Sequence, residues 1–398
     1  MTPRRYQLRK DAVAIVARGH PWIFRDQLSS AAHVLGDGDW LRLVDGDNRV
    51  VGYGLYEAEG AIAIRVLRTG TARPDAAWLR ARLAAAVARR GELAKASDGL
   101  RLVHGENDGI PAVAVDRFGD ALVVASYARG ADAIARYTAA VLARTGGEVV
   151  GPARHVVLRP AHRRRGPPEP ARVLRGAPPE LASFVEDGRR YVVDLAAGHK
   201  TGAYLDLRGL RRLVAAAPLA GARVLNLFAY TGMLGLAAEA AGAAEIVQVD
   251  SSERALALAA AHHVADPARH RFVTADVFAW LPGAHGAYDL VIVDPPAMTS
   301  RIAQVPAVLA AYRRLYKAAA PRVAPGGLLV SACCTSRIER AAFRRTVRGA
   351  LGAEFTLERE LAAEPDHPVG FAQADYLKIL CWRRGRDSAP DGAPPGAA

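Results

Sequence analysis

Apolar and polar residues alternate along this chain in blocks whose period changes twice. From Leu41 the stretch LRLVDGDNRVVGYGLYEAEGAIAIRVL holds three short apolar runs separated by DGD and AEG. Runs of that length between turn residues predict consecutive antiparallel strands, so residues 1–71 read as a small β-rich unit. In the next block PDAAWLRARLAAAVARRGEL and ADAIARYTAAVLART have helical spacing, while RLVHGENDGIPAVAVDRF, DALVVASY and ARHVVLRP read as strands. Residues 72–183 are therefore expected to form an α+β module. The run AHRRRGPPEPARVLRG inside it is rich in proline and arginine, and predicts an exposed basic loop or linker.

From residue 184 the alternation becomes regular. RVLNLFA, EIVQVD, RFVTAD, LVIVDPP and LLVSACC are strand-like and are separated by LGLAAEAAGA, SERALALAAAHHVA and PAVLAAYRRLYKAAAP, which are helix-like. Such alternation argues for an α/β domain on a doubly wound parallel sheet over residues 184–386. The last stretch, residues 387–398, is too poor in apolar residues to pack and is expected to be disordered.

Composition narrows the classes. With 398 residues, 51% of them hydrophobic, the chain can bury a core in two or three domains. It holds no run of about 18 uncharged apolar residues, and charges interrupt its first 20, so neither a membrane span nor a signal peptide is expected. A cytoplasmic protein is the expectation. Three cysteines, two of them adjacent, suit neither a disulfide framework nor a zinc site, and no metal is expected. The net charge of +13 suits a polyanion, although genomic base bias alone can enrich arginine. In RGHPWIF, Trp22 and Phe24 stand beside Arg18 and Arg25. Rings next to guanidinium groups can stack bases and grip phosphates, and they can equally close a core. Arg18, His20 and Trp22, with Arg163, Arg164 and Arg165 of the basic loop, are the candidate nucleic-acid contacts.

In a doubly wound sheet ligands bind beyond the carboxyl ends of the strands. The first strand, with Asn226 and Phe228, runs into a turn holding Tyr230, Thr231 and Gly232, without the GxGxxG spacing that admits a pyrophosphate. That counts against NAD and FAD. Asp250 ends the second strand, about 20 residues past the first loop, where a carboxylate takes the hydroxyls of a ribose. Asp276 follows the third, within reach of an adenine edge. These acids suit a nucleoside cofactor without phosphates, and S-adenosylmethionine, a sulfonium cation, is such a molecule. Each aspartate alone could be a turn or helix cap; their serial placement favours the pocket. The fourth strand ends in Asp294-Pro295-Pro296, whose prolines lock an extended turn that can hold Asp294 against a planar base.

The pair Cys333-Cys334 ends a later strand of the same sheet. Side chains alternate along a strand, so one thiol should be core and the other exposed. A thiolate adding to carbon-6 of a pyrimidine makes carbon-5 nucleophilic enough to take a methyl group. Free cysteine is also commonly a small buried hydrophobe, as Cys381 in YLKILCW is expected to be.

GHKTGAYLDLR, VLNLFAYTG, VQVDSS, DPPAM and LLVSACCTSRI, in this order, resemble the bacterial 23S rRNA cytosine carbon-5 methyltransferases of the three-domain type. RGHPWIF and the strands after it resemble that family's PUA RNA-binding domain, and RLVHGENDGIPAVAVDRFGD its central module. The resemblance implies a C-terminal Rossmann-like methyltransferase domain, S-adenosyl-L-methionine as cofactor, and Lys200, Thr201, Tyr204, Asp206 and Arg208 as neighbours of the donor. Its nucleophile falls on Cys334. Ala332, Cys333, Ser336 and Arg337 depart from the usual run, as do His199 and Met298.

The reading is an RNA methyltransferase forming 5-methylcytosine in large-subunit rRNA, naked or in a particle. Cys334 is its nucleophile, and Asp294 is on the cytosine's pairing edge. Two alternatives stand beside it: methylation of a guanine or adenine nitrogen on the same scaffold, which needs no thiol, and a non-catalytic RNA-binding assembly factor. The target nucleotide, the base that removes the carbon-5 proton and the oligomeric state, a homodimer among the options, are not fixed by the residues.

Overall fold

A computed structural model describes residues 2–145, 150–161, 169–196, 198, 201–299 and 301–386 of the chain. Two compact units divide it: Met1–Leu205 with Glu364–Phe371, and Asp206–Ala363 with Ala372–Ala398.

Unit one opens with β1 (Arg4–Gln7), α1 (Lys10–Ala17), β2 (Trp22–Phe24), β3 (Trp40–Val44), β4 (Val50–Tyr56) and β5 (Ile62–Thr69). Their sheet has the order β1-β3-β4-β5-β2. β3, β4 and β5 pair antiparallel, as short apolar runs between turn residues predict, and β1 adds in parallel to β3. Ala12 and Val16, four residues apart on α1, join Leu41, Leu43 and Ile64 in one apolar cluster.

A second sheet follows α2 (Ala76–Ala88). It holds β6 (Gly99–His104), β7 (Val113–Phe118), β8 (Ala121–Ser126), β9 (His155–Pro160) and β10 (Arg172–Arg175), in the order β10-β9-β8-β7-β6, with α3 (Asp132–Thr145) between β8 and β9. β10 lies in the stretch expected to be a loop or linker. It is an edge strand pairing only with β9, and all four of its residues are exposed, so no alternation marks it. A hairpin of β11 (Leu181–Glu186) and β12 (Arg189–Asp194) follows.

The segment Glu364–Phe371 is held in unit one by buried charge. Arg90 makes a two-point bond to Asp108 (2.9 and 2.7 Å) and donates to the Asp366 carbonyl at 2.9 Å. The Asp366 carboxylate accepts the Arg101 amide at 3.0 Å, and the Arg101 guanidinium grips Asp116 with two 2.7 Å bonds.

Unit two contains α4 (Arg208–Ala215), β13 (Arg223–Leu227), α5 (Met233–Ala240), β14 (Glu245–Asp250), α6 (Glu253–His262), β15 (His270–Thr274) and β16 (Tyr288–Val293). α7 (Val305–Ala319), β17 (Val323–Cys333), α8 (Arg340–Leu351), β18 (Phe355–Leu361) and β19 (Lys378–Arg384) complete it. The sheet order is β15-β14-β13-β16-β17-β19-β18. β13 to β17 are parallel, but β19 runs antiparallel to both β17 and β18, so the sheet expected to be parallel is mixed at one edge. β18 and β19 are joined without the long helix that a parallel crossover needs. Helices cover the sheet, so its central strands are mostly apolar: Val291 and Val293 of β16 share a cluster with Tyr312 and Tyr316 of α7 and Phe343 of α8.

Candidate active site

β13 lies between β14 and β16, so the chain leaves it in opposite directions and opens a crevice at the carboxyl ends. The register brings these ends level, pairing Leu227 with both Val249 and Val293, and Val293 with Ser331. After β13 the backbone turns sharply. Phe228 (φ +60°) and Tyr230 (φ +48°) are left-handed although neither is glycine, at a cost of about 1–3 kcal/mol each. Gly232 (φ +72°) begins α5, and a Cβ there would lie 2.7 Å from that of Ala259. The turn is held by the Tyr230 amide on Asp250 (2.8 Å) and the Ala229 amide on the Val249 carbonyl (3.0 Å). The Thr231 carbonyl bonds Nδ1 of the fully buried His263, whose pKa burial pushes down to about 4.

Three strand ends carry polar groups with unused capacity. Asp250 accepts one backbone amide on each oxygen, from Tyr230 and Ser252 (both 2.8 Å), which leaves further lone pairs. Asp276 caps the short helical turn Val277–Trp280 through the Ala279 amide at 2.9 Å and is otherwise exposed. Beside it Phe278, a partly exposed aromatic that the sequence reading missed, meets Phe228 edge-on at 5.8 Å. Asn226 is buried; its Nδ2 reaches Gln248 at 3.3 Å, and no donor among the described residues reaches its Oδ1.

The loops after β16 and β17 meet on the other side of the crevice. The Asp294 amide donates to the Leu227 carbonyl at 3.4 Å, Pro295 is buried, and the Met298 amide bonds Oγ1 of Thr335 at 3.3 Å. Cys333, the last residue of β17, is fully buried. Cys334 is half-buried, with its Sγ 3.7 Å from the Pro295 carbonyl oxygen. One thiol is core and one is accessible, as alternation predicts. Burial pushes the Cys381 thiol up to about 11, which leaves it protonated at neutral pH.

Asn226, Phe228, Tyr230, Thr231, Gly232, Asp250, Asp276, Asp294, Pro295 and Cys334 thus share the carboxyl edge of one sheet. Asp206 accepts the Tyr376 hydroxyl at 2.6 Å, and Arg208 is fully buried at the start of α4. Thr201 and Tyr204 belong to unit one, where the Thr201 hydroxyl donates to Asp116. Lys200, Arg163, Arg164 and Arg165 lie outside the described residues. Arg18 is exposed at the end of α1. His20 places Nδ1 3.0 Å from the Trp22 carbonyl, and the Trp22 indole donates to Glu106 at 2.8 Å and packs edge-on against Phe371 at 4.8 Å.

The fold is a Rossmann-like methyltransferase domain joined to an N-terminal β-rich, PUA-like domain; residues 7–69 match the PUA-like family. Residues 121–383 match the S-adenosylmethionine-dependent methyltransferases, and the chain belongs to that family. Over 94% of its length the chain is 34% identical to a ribosomal RNA large subunit methyltransferase of Deinococcus radiodurans, covering 96% of that protein. Over 92% it is 32% identical to ribosomal RNA large subunit methyltransferase I of Shewanella amazonensis, again covering 96%. A candidate S-adenosylmethionine-dependent methyltransferase from Streptococcus mutans shares the fold, with TM-score 0.82, 21% identity, and 96% of this chain and 100% of that one aligned. The chain is thus an enzyme that uses S-adenosylmethionine. The residues at the crevice fit that cofactor, with an unpartnered buried acceptor on Asn226, two carboxylates with free lone pairs, and the Phe228–Phe278 ring pair.

Proposed function

We propose that this enzyme methylates carbon-5 of a cytosine in large-subunit ribosomal RNA, with Cys334 as the nucleophile. The observation that carries the reading is the half-buried Cys334 thiol beside the Asp294-Pro295 turn, at the switch point of a methyltransferase sheet. The names of the relatives support the RNA class, and the charge of +13 suits a phosphate backbone.

Asp250 would hold the ribose hydroxyls of the cofactor and Asp276 its adenine edge, with Asn226, Phe228, Tyr230, Thr231 and Gly232 forming the floor. Lys200, Thr201, Tyr204, Asp206, Arg208 and Pro295 are assigned as further neighbours on resemblance. When bound, S-adenosylmethionine supplies an electrophilic methyl group. The Cys334 thiolate would add to carbon-6 of the cytosine, and the electron pair of the 5,6 double bond would move to carbon-5, which takes that methyl as the sulfonium–methyl bond breaks and its electron pair stays on the departing thioether. A base then removes the carbon-5 proton, the double bond re-forms, and the thiolate leaves. Asp294 hydrogen-bonds the pairing edge of the base and steadies the adduct. The target must leave its stack at a cost of about a few kcal/mol, which contacts through Arg18, His20, Trp22 and the Arg163, Arg164 and Arg165 run would offset.

RNA containing 5-fluorocytosine tests the reading, because fluorine cannot leave as a proton does. The native enzyme and Cys333→Ala should form a methylated protein–RNA adduct stable to denaturation, and Cys334→Ala should not. Methyl transfer without any adduct would contradict the reading and favour a nitrogen target.

A further inference from the structure

Lys378 opens β19 and lies opposite Cys333 of β17 in the antiparallel register. Residues so paired point to the same face of a sheet, and that face packs Leu329, Leu380, Trp382 and Phe343 into the core. The lysine side chain is 0% exposed. An ammonium group buried in such a layer is costly unless it is hydrogen-bonded and paired with a charge. Its Nζ donates to the Thr335 carbonyl at 2.9 Å and the Ile338 carbonyl at 2.8 Å, both in the loop that follows Cys334. Two of its three hydrogens are thereby satisfied.

Among the described residues no carboxylate stands within ion-pair distance of Lys378, and Asp375, which acts on it from farther off, is gripped at two points by Arg340 (3.1 and 2.6 Å). Arg340, Cys333 and Cys334 also act on it; the buried phenols of Tyr312 and Tyr316 face Cys333, and Asp294, a carboxylate that opposes a thiolate, opens the turn whose Pro295 carbonyl lies 3.7 Å from the Cys334 Sγ. Burial lowers the pKa of Lys378, and the two cysteines oppose that shift. Of the two thiols, only Cys334 is accessible.

We propose that Lys378 is the positioning residue for the Cys334 thiol: it fixes the loop after Cys334 through two carbonyls and presents an unneutralised positive charge that favours the thiolate. The thiol proton goes to solvent, and no bond to the lysine changes. The catalytic meaning of this role rests on Cys334 being the nucleophile proposed above.

Alkylation of Cys334 by iodoacetamide, followed by mass spectrometry against pH, reads the thiol in the full chain without RNA or methyl donor. The native chain should inflect below the ordinary thiol value of about 8.5. Lys378→Met should raise the inflection by about one unit and slow alkylation at pH 7 about tenfold. Lys378→Gln, which keeps a donor for the carbonyls but no charge, should behave as Lys378→Met does. A native inflection at or above about 8.5, or a native-like profile in either folded variant, would overturn the assignment. The native profile alone can overturn it if the variants do not fold. Methyl transfer surviving in Cys334→Ala would instead remove the nucleophile reading and leave the thiol titration standing.

Discussion

Polar side chains are treated in opposite ways by a buried network in unit one and by the sheet edge of unit two. In unit one, Arg90, Asp108, Arg101 and Asp116 are buried, and each charge meets an opposite one at 2.7 Å. Burial alone would raise the Asp108 pKa, but hydrogen bonds and charge from Arg90, with Arg89 beside it, outweigh that and hold the carboxyl below its ordinary range. At the carboxyl edge of the sheet in unit two, Asp250 and Asp276 meet only backbone amides, and Asn226 Oδ1 and the Lys378 ammonium lack full partners among the described residues. Charges that are completely paired tie distant segments together, as Arg90 ties Glu364–Phe371 into unit one. Groups with unused capacity at a switch point are the ones available to a ligand.

The sharpest way to break this contrast is to remove one accessible group and one buried group. Cys334→Ala should lower methyl transfer at least about a thousandfold, roughly 4 kcal/mol in the barrier, with an unchanged thermal midpoint. Cys333→Ala should keep most activity and lose about 1–2 kcal/mol of stability. Parallel rate and melting measurements on both variants check the pair; equal loss of activity would erase the distinction.

Asp108→Ala should cost about 3–5 kcal/mol in urea unfolding, because it leaves Arg90 buried without its carboxylate. A cost under about 1 kcal/mol would mean that the network contributes little to holding the segment.

His263 links pH to the loop after β13. Its folded pKa of about 4 lies below the unfolded value of about 6.5, so between them the unfolded chain binds more protons and stability rises with pH. Acidification through that window should remove about 3 kcal/mol, and His263→Phe should flatten this part of the profile. Packing under α5 is probed at Gly235, where an added Cβ would meet the Gln248 side chain at 2.5 Å. Gly235→Ala should destabilise by about 1–3 kcal/mol, and relaxed packing with no change in melting would show that α5 can shift.

Much of this architecture is legible in the apolar pattern, because a strand buried on both faces or alternating on one leaves a periodic trace. β3, β4 and β5 and the five parallel strands of unit two are of that kind. Strand direction leaves no such trace, so YLKILCW reads as a strand while the antiparallel course of β19 does not show. The exposed β10 carries no alternation, and the assignment of Glu364–Phe371 to unit one depends on Arg90 and Arg101, more than 260 residues away in sequence. In the site, the aspartates and Cys334 stand out by their position at strand ends. Phe278 could have been found as an aromatic two residues past Asp276. Lys378 announces itself only as a charge inside the apolar run YLKILCW, a pattern that an edge strand would equally show.

The central claim is that the accessible thiol at the sheet edge performs the chemistry. Large-subunit RNA incubated with isotopically methyl-labelled S-adenosylmethionine, digested to nucleosides and resolved by mass spectrometry, tests it most directly. The account predicts label in 5-methylcytidine with the native enzyme and with Cys333→Ala, and none with Cys334→Ala. Label in an N-methylated purine, made equally well by Cys334→Ala, would contradict it.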